Sequence, residues 1–261
     1  MHEGLINIAI QAAYNAGEFI QQESRNLSRI KIEQKSKNDY VTNVDKTAEE
    51  IIISTILKTY PKHNILSEEI GFIDNGGDLT WIIDPLDGTT NYIHSNPNYS
   101  ISIAVKLENK ITHGVVFDPN RNDVYSATLG SGAFLNNKRI RVNSGHLLSN
   151  AIVANSLPHD PELRAKFMPL YLDILDNCSA HRNIGSAALE LAYVAAGYLD
   201  GYYAASLKEW DIAAGSILVK EAGGLVVDFN GKPDVLNSLS IVAASPKLIT
   251  PILQKITQHI A

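Results

Sequence analysis

The segment from Asp84 to Asn91 reads Asp-Pro-Leu-Asp-Gly-Thr-Thr-Asn and combines two carboxylates, three positions apart, with a glycine and two hydroxyl side chains. It follows the apolar run Leu79–Ile83, and because proline disfavours helical geometry in the preceding residue, we predict that Asp84 ends a strand. A turn into a helix at Gly88 would direct side-chain oxygens and backbone N–H groups toward one point. The segment could therefore bind a hard cation, a phosphate or both. A capped turn without chemistry is the alternative.

The spacing of the two aspartates tests rival motifs. A calcium loop with Gly88 at its sixth position would need ligands at Ile83 and Pro85, whose side chains offer no oxygen. A nucleophilic aspartate in an Asp-x-Asp arrangement would have its partner two positions away, whereas Asp84 and Asp87 are three apart. Metal-activated water is therefore favoured over a covalent phosphoaspartate.

The composition limits the class of protein. The chain has 261 residues, of which 45% are hydrophobic and 19% charged, with a net charge of -6, as in soluble globular proteins and unlike disordered ones. An acidic chain has no general field that attracts nucleic acid or an anionic membrane, so an anionic ligand would need backbone dipoles or metal ions. The single cysteine, Cys178, excludes an intrachain disulfide, and no leader or membrane-spanning segment is evident, so we expect a cytoplasmic protein.

Hydrophobic periodicity predicts the elements that position these residues. Helical spacing runs from Leu5 to Ile20 and from Asn43 until shortly before Pro61, and alternation predicts a hairpin of Ile101–Leu107 and Ile111–Phe117. In the second half of the chain, the pattern predicts strands at 151–154, 199–203, 225–228 and 241–244, and helices at 162–175, 186–196, 211–222 and the C-terminus. This pattern is typical of a layered α/β fold, and the polar stretch at 143–145 suggests two units, residues 1–145 and 146–261.

Further acidic and glycine-rich motifs accompany the first one, namely Asn38–Asp45, Ser67–Glu69, Glu209–Gly215 and Glu221–Gly224. Taken in order with Asp84–Asn91, they resemble the inositol monophosphatase family, especially its bacterial members, over nearly the whole chain. The resemblance implies an αβαβα sandwich of the sugar-phosphatase kind, built from two packed halves. It also implies a magnesium-dependent phosphomonoesterase in which acidic residues from distant regions meet at one metal cluster.

The resemblance assigns roles residue by residue. Glu69, Asp84 and the backbone carbonyl of Leu86 would hold one Mg²⁺, whereas Asp84, Asp87 and Asp211 would hold a second. Glu69 would support a weaker third ion through waters, while Glu68 would either lie behind the ligands and contact them or be solvated. Thr89 and Asp45 would position and deprotonate the attacking water, and Glu69 completes the catalytic set. The substrate would contact the following residues: Asp87, Gly88, Thr89, Gly185, Ser186 and Ala187.

Several of these residues also have a purely structural interpretation. Asp45 follows Thr42 at the spacing of a capping box, and Asp211 stands where it could cap a helix. Lys35 resembles a family lysine near the phosphate or the metal-bound water, and a surface lysine is its alternative.

Ala204 is the clearest departure from the family. In relatives that bind inositol, the residue seven positions before the aspartate equivalent to Asp211 is commonly a glutamate that accepts a hydrogen bond from a substrate hydroxyl. Alanine cannot make this bond, whose loss would cost about 1.5–3 kcal/mol. The expected substrate is a small phosphorylated polyol, myo-inositol 1-phosphate first, and another polyol phosphate is the alternative.

The resemblance leaves other functions open. Fructose-1,6-bisphosphatase and 3′-phosphonucleotide phosphatase share this metal core, although Thr90 and Asn91 match the inositol branch better than the phosphonucleotide one. A regulatory protein that keeps the fold and acts through protein or RNA partners is a rival from another class, while an acidic chain without a basic stripe disfavours direct nucleic-acid binding. The resemblance further implies a homodimer that lithium inhibits.

Overall fold

A computed structural model describes residues 2–27, 30–36 and 39–260. The helices within these residues are α1 (His2–Ser24), α2 (Asn43–Thr59), α3 (Thr89–Ile93), α4 (Pro161–Asn177), α5 (Ala187–Ala196), α6 (Glu209–Glu221) and α7 (Ile249–Ile260). The strands are β1 (Ile32–Ser36), β2 (Asp39–Thr42), β3 (Asn64–Ser67), β4 (Gly71–Ile73), β5 (Leu79–Asp87), β6 (Ser100–Leu107), β7 (Lys110–Asp118), β8 (Asp123–Thr128), β9 (Gly132–Leu135), β10 (Lys138–Arg139), β11 (Ile152–Ser156), β12 (Ala180–Arg182), β13 (Gly201–Ala205), β14 (Leu225–Val227) and β15 (Ser240–Ala244).

Two large sheets form the frame of the molecule. The first has eight strands in the order β10-β9-β8-β7-β6-β5-β3-β4, all antiparallel except for the β3–β5 pair. The second has five strands in the order β12-β11-β13-β15-β14, of which β12, β11 and β13 run parallel. A separate hairpin of β1 and β2 leads into α2.

Three apolar cores alternate with the sheets. Helices α1 and α2 bury residues such as Ala12 and Ile52 against one face of the first sheet. Helices α5 and α6 lie between the two sheets and bury Leu191 and Leu218 there. Helices α4 and α7 cover the outer face of the second sheet with residues such as Phe167. The order of layers is thus helix, sheet, helix, sheet, helix, which confirms the predicted αβαβα sandwich.

Small residues on α6 allow the central layer to pack closely. A Cβ atom at Gly215 would lie 2.4 Å from the Cβ of Leu191 on α5. On the other side, a Cβ atom at Gly114 of β7 would lie 2.8 Å from the carbonyl oxygen of Ala214. Helix α6 is therefore fixed against both α5 and the first sheet, which determines where its first turn lies.

Some predicted boundaries are wrong. Asp84 does not end its strand, because β5 continues to Asp87 and the pairing with β6 resumes beyond an irregularity between the two aspartates. Pro85 lies within that irregularity, where its missing N–H interrupts the ladder. Helix α6 begins at Glu209, two residues before Asp211. The division at residue 145 stays a prediction.

No helix in the described ranges is long and apolar enough to cross a membrane.

Candidate active site

A cleft of about 520 Å³ opens where strand ends and helix beginnings meet. It lies at the C-terminal ends of β5, β11 and β13 and at the N-terminal ends of α3, α4, α5 and α6. Ligands of α/β proteins bind at such an edge because loops and helix N-termini converge there. The acidic residues that line the cleft are Glu68, Asp84, Asp87, Asp160 and Asp211.

Three aspartates at the centre of the cleft are held by hydrogen bonds to one oxygen each. Asp84 Oδ1 accepts from the backbone N–H of Leu86 at 3.0 Å, and Asp211 Oδ2 accepts from the N–H of Lys208 at 2.7 Å. Asp87 Oδ2 accepts from the Ser186 hydroxyl at 2.6 Å and from the N–H of Ala188 at 2.7 Å. These contacts fix the orientation of all three carboxylates.

The protonation of these aspartates reflects burial and mutual repulsion. Burial raises the pKa of Asp84 well above its ordinary value, and the charge of Glu68 adds to the effect. Burial raises the pKa of Asp87 to about 6, although the hydrogen bonds from Ser186 and Ala188 oppose the shift. Burial and the charge of Asp87 raise the pKa of Asp211 to about 8. Such a cluster is unfavourable without cations, as expected of a site that binds them.

The glutamate that lines the cleft is Glu68, whereas the family resemblance implied Glu69 as the ligand. Strand β3 pairs with β5 so that the N–H of Glu68 donates to the carbonyl of Ile83 at 3.2 Å, directly before Asp84. The N–H of Glu69 instead donates to Glu49 Oε1 of α2 at 3.0 Å. Glu69 is not among the residues that line the cleft, and its charge acts on Asp45. The fold therefore places Glu68 with the aspartates and Glu69 beside the cluster.

Asp45 and Thr89 meet at the cleft wall. The Thr89 hydroxyl lies 2.8 Å from Asp45 Oδ1 and 3.1 Å from the carbonyl oxygen of Leu86. Asp45 Oδ2 accepts from the hydroxyl and the N–H of Thr42, which forms the capping box of α2. Burial raises the pKa of Asp45, and the hydrogen bonds from Thr42 and Thr89 oppose the shift. Asp45 thus caps a helix with one oxygen and contacts Thr89 with the other.

The loop before α5 forms another wall of the cleft. Gly185 and Ala187 line the cleft, and Ser186 caps α5 while its hydroxyl donates to Asp87. The amide Nδ2 of Asn91 donates to the carbonyl of Ile184 at 2.9 Å and so joins this loop to the Asp84–Asn91 segment.

Gly88 has a φ of 98°, a left-handed conformation that permits the sharp entry into α3. A Cβ atom at this position would lie 3.2 Å from the Gly185 carbonyl oxygen. Glycine at position 88 therefore allows both the turn and the close approach of the Gly185 loop.

The donor set fits a hard cation such as Mg²⁺, because it consists of carboxylate and carbonyl oxygens. Asp84 and Asp211 each have one oxygen that accepts no hydrogen bond from any residue in the described ranges. Within those ranges no three acidic, histidine or cysteine side chains converge closely enough to ligate one ion as they stand. Ligation by three carboxylates would therefore require small side-chain movements.

A buried network that the sequence analysis missed supports the cleft floor. Glu190 of α5 is fully buried, accepts from the N–H of Ile184 at 2.8 Å and lies 3.3 Å from the Ser156 hydroxyl. The Ser156 hydroxyl lies 2.8 Å from that of Tyr202 and lines the cleft. Burial raises the pKa of Glu190 to about 8. The available signal was a lone glutamate within the otherwise almost wholly apolar run Ala187–Ala196.

The sequence left the roles of Ala204 and Lys35 open, and the structure describes the side chain of only the first. Ala204 is fully buried in the core between the sheets and does not line the cleft, whereas Ala205 does. The backbone of Lys35 belongs to β1, but its side chain lies outside what the structure describes, as does Asn38 of the Asn38–Asp45 motif.

The sequence and the fold are both similar to those of known proteins. A family model described as the inositol monophosphatase family matches residues 1–261. The Nus factor SuhB of Pasteurella multocida is 44% identical over 257 residues, covering 97% of this chain and 95% of the relative.

Solved structures give the same result. The SuhB structure from Bartonella henselae has a TM-score of 0.95 at 34% identity, covering 98% of this chain and 100% of that one. The IMPase of Thermotoga maritima has a TM-score of 0.90 at 33% identity, covering 98% of each chain. The chain belongs to the inositol monophosphatase family, a phosphatase family whose members include proteins named SuhB.

Proposed function

We propose that this protein is a Mg²⁺-dependent phosphomonoesterase that hydrolyses a small phosphorylated polyol by direct attack of water. The observation that carries the proposal is the convergence of Glu68, Asp84, Asp87 and Asp211 on one cleft whose wall holds the Thr89–Asp45 pair. Family membership supports the same chemistry, and myo-inositol 1-phosphate is the first substrate to test.

The residues proposed to hold the ions are Glu68, Asp84, Asp87, Asp211 and the carbonyl of Leu86, with Glu69 next to this set. Bound Mg²⁺ would offset the clustered negative charge, admit a phosphate dianion and lower the pKa of the attacking water. The number of ions, two or three, stays a prediction.

In this proposal, two side chains of the protein accept the proton that the attacking water loses. We assign Thr89 as a relay: its hydroxyl accepts a proton from the attacking water and passes its own to Asp45 Oδ1, 2.8 Å away. Thr42 holds the other oxygen of Asp45, so the carboxylate stays aimed at Thr89. The water oxygen bonds to phosphorus, and the departing alcohol oxygen takes a proton from solvent.

Substrate orientation is assigned to the cleft walls. Backbone N–H groups of Gly88 and Thr89 are proposed to contact phosphate oxygens, and the Gly185–Ala187 loop to contact the polyol. Ser186 acts through Asp87, because its hydroxyl donates to Asp87 Oδ2 at 2.6 Å.

Phosphate release tests the proposal. The substrates are myo-inositol 1-phosphate, fructose 1,6-bisphosphate and 3′-phosphoadenosine 5′-phosphate, each with Mg²⁺, with EDTA, and with Mg²⁺ plus Li⁺. We expect turnover of at least one substrate with Mg²⁺, none with EDTA, and inhibition by Li⁺. No turnover of any substrate would contradict the proposal.

A second candidate function rests on the relatives' name. Because proteins called Nus factor SuhB are 44% identical to this chain, a binding role that does not need phosphatase chemistry is the main rival. Affinity capture with the wild type and with Asp87→Asn separates the two. A partner held equally by both proteins, without turnover of any phosphate ester, would favour the rival, and the implied homodimer can be measured on the same samples.

A further inference from the structure

Arg164 is a cation in a cleft of carboxylates. Among the described residues that line the cleft it is the one arginine or lysine, facing a site that also contains Glu68, Asp84, Asp87 and Asp211. It comes from α4, on the far side of the second sheet from the aspartates of β5. The cleft therefore has an acidic end suited to cations and a separate position that carries a guanidinium.

The Arg164 side chain is partly buried and unpaired. No hydrogen bond or ion pair joins its guanidinium to another residue in the part of the chain that the structure describes. The neighbouring Asp160 caps α4 through an Oδ1 contact of 2.7 Å to the N–H of Leu163 and forms no ion pair with Arg164. An arginine side chain has five N–H donors, and those of Arg164 meet no protein acceptor within the described residues.

The position of Arg164 is fixed by the fold. Its N–H donates to the carbonyl of Asp160 at 2.9 Å in the first turn of α4. Phe167 and Leu170 of the same helix are buried in the outer core, which sets the helix orientation. These contacts fix the backbone from which the Arg164 side chain reaches the cleft.

An unpaired arginine at a ligand cleft is suited to a bidentate anion such as phosphate. The wall of the cleft at the start of α4 thus offers Arg164 as a charged donor, next to the carboxylate of Asp160, which caps the helix. A cleft of about 520 Å³ has the size of sites that enclose small metabolites.

We propose that Arg164 binds a second phosphate of the substrate, so that the preferred substrates are small polyol or sugar bisphosphates. One phosphate lies at the carboxylate cluster and is hydrolysed, while the other pairs with the Arg164 guanidinium. This inference rests on the proposed phosphatase function of the same cleft and names its substrate class.

Matched substrates test the inference. Kinetics with Mg²⁺ compare fructose 1,6-bisphosphate with fructose 1-phosphate, for the wild type, Arg164→Ala and Arg164→Lys. We expect the wild type to prefer the bisphosphate, and Arg164→Ala to raise the KM for it about 10- to 100-fold with little change in kcat. Turnover of fructose 1-phosphate should not change. The KM of Arg164→Lys for the bisphosphate should lie between those of the wild type and Arg164→Ala, because lysine keeps the charge but cannot donate two parallel hydrogen bonds.

Controls make the result interpretable. Lys166→Ala removes the same charge from an exposed position of α4 and should leave both substrates unaffected. Equal effects of Arg164→Ala on both substrates, or no effect, would overturn the inference. A wild type that prefers fructose 1-phosphate would also overturn it.

Binding is measured apart from turnover, by calorimetric titration of Asp87→Asn and of Asp87→Asn with Arg164→Ala. If no substrate is hydrolysed, the phosphatase proposal fails, and bisphosphate binding that weakens on loss of Arg164 still supports the anion site. Binding that is equal in the two proteins overturns it. Titration with 3-phosphoglycerate distinguishes a carboxylate from a phosphate as the second anion: binding tighter than that of the bisphosphate would contradict the stated class.

Discussion

The Thr89 hydroxyl lies 2.8 Å from Asp45 Oδ1, although the two residues are 44 positions apart in the sequence. Helix α2 presents Asp45, and the glycine turn before α3 presents Thr89, so the contact joins the first helical layer to the end of β5. If this pair relays the proton of the attacking water, each partner should affect kcat.

We therefore expect Thr89→Ala to lower kcat by about 100-fold or more, since general-base catalysis contributes about 10²–10⁴-fold. Thr89→Ser keeps the hydroxyl and is the matched control, with kcat within a few-fold of the wild type. Steady-state kinetics at saturating Mg²⁺ measure the difference. A Thr89→Ala variant with near-normal kcat would remove Thr89 from the mechanism.

The two adjacent glutamates give a second prediction. Because Glu68 lines the cleft and Glu69 does not, Glu68→Gln should raise the Mg²⁺ concentration needed for half-maximal activity about 10-fold or more, and Glu69→Gln should raise it less. Titration of activity with Mg²⁺ makes the comparison within one pair of isosteric variants. The reverse order would support the ligand role that the family resemblance implied for Glu69.

Glu190 predicts a pH dependence of stability. Burial raises its pKa from 4.5 to about 8, so between these values the folded protein holds a proton that the unfolded chain has released. Stability should then fall as pH rises through this window, by up to about 1.4 kcal/mol per pH unit. Glu190→Gln lacks this titration and can keep the contact to Ile184 N–H. The unfolding free energy of the variant minus that of the wild type should therefore increase from pH 5 to pH 8.

Urea unfolding in EDTA at several pH values measures this difference for Glu190. Parallel pH profiles for the wild type and Glu190→Gln would show that the carboxyl is already ionised in the folded protein.

Gly215 tests the packing of the central helices. Gly215→Ala should destabilise the protein by about 1–3 kcal/mol, because the added Cβ would lie 2.4 Å from the Cβ of Leu191. At an open helical site the same change normally stabilises by about 1 kcal/mol. Gly4→Ala in α1 is the control, since its added Cβ meets only the terminal oxygen of the Tyr60 side chain. Unchanged or increased stability of Gly215→Ala would mean that α5 and α6 can separate freely.

Long periodic elements were predictable from the sequence, and short ones were not. Helix α2 and the β6–β7 hairpin follow from spacing alone, because many residues repeat one pattern. Strands such as β4 and β12 have three residues each, too few to show a period. The continuation of β5 past Pro85 depends on the irregular pairing with β6, which only the assembled sheet reveals.

Site residues could be predicted where they share one sequence motif. They could not be predicted where the direction of a side chain determines which residue enters the cleft. Asp84 and Asp87 share one motif, whereas choosing between Glu68 and Glu69 requires knowing how β3 pairs with β5. Arg164 gave no signal, since an arginine in the first turn of an amphipathic helix is ordinary. Its place at the cleft follows from the packing of α4 on the second sheet.

Phosphate release by the wild type and Asp87→Asn, with Mg²⁺ and each of the three candidate substrates, tests the central claim most directly. Asp87 is fixed by Ser186 and Ala188 in the middle of the carboxylate cluster, so the variant removes one charge with almost no change of shape. We predict Mg²⁺-dependent release by the wild type and a loss of more than about 100-fold in the variant, with an unchanged circular dichroism spectrum. Substantial residual release by a folded Asp87→Asn protein would contradict the proposed site.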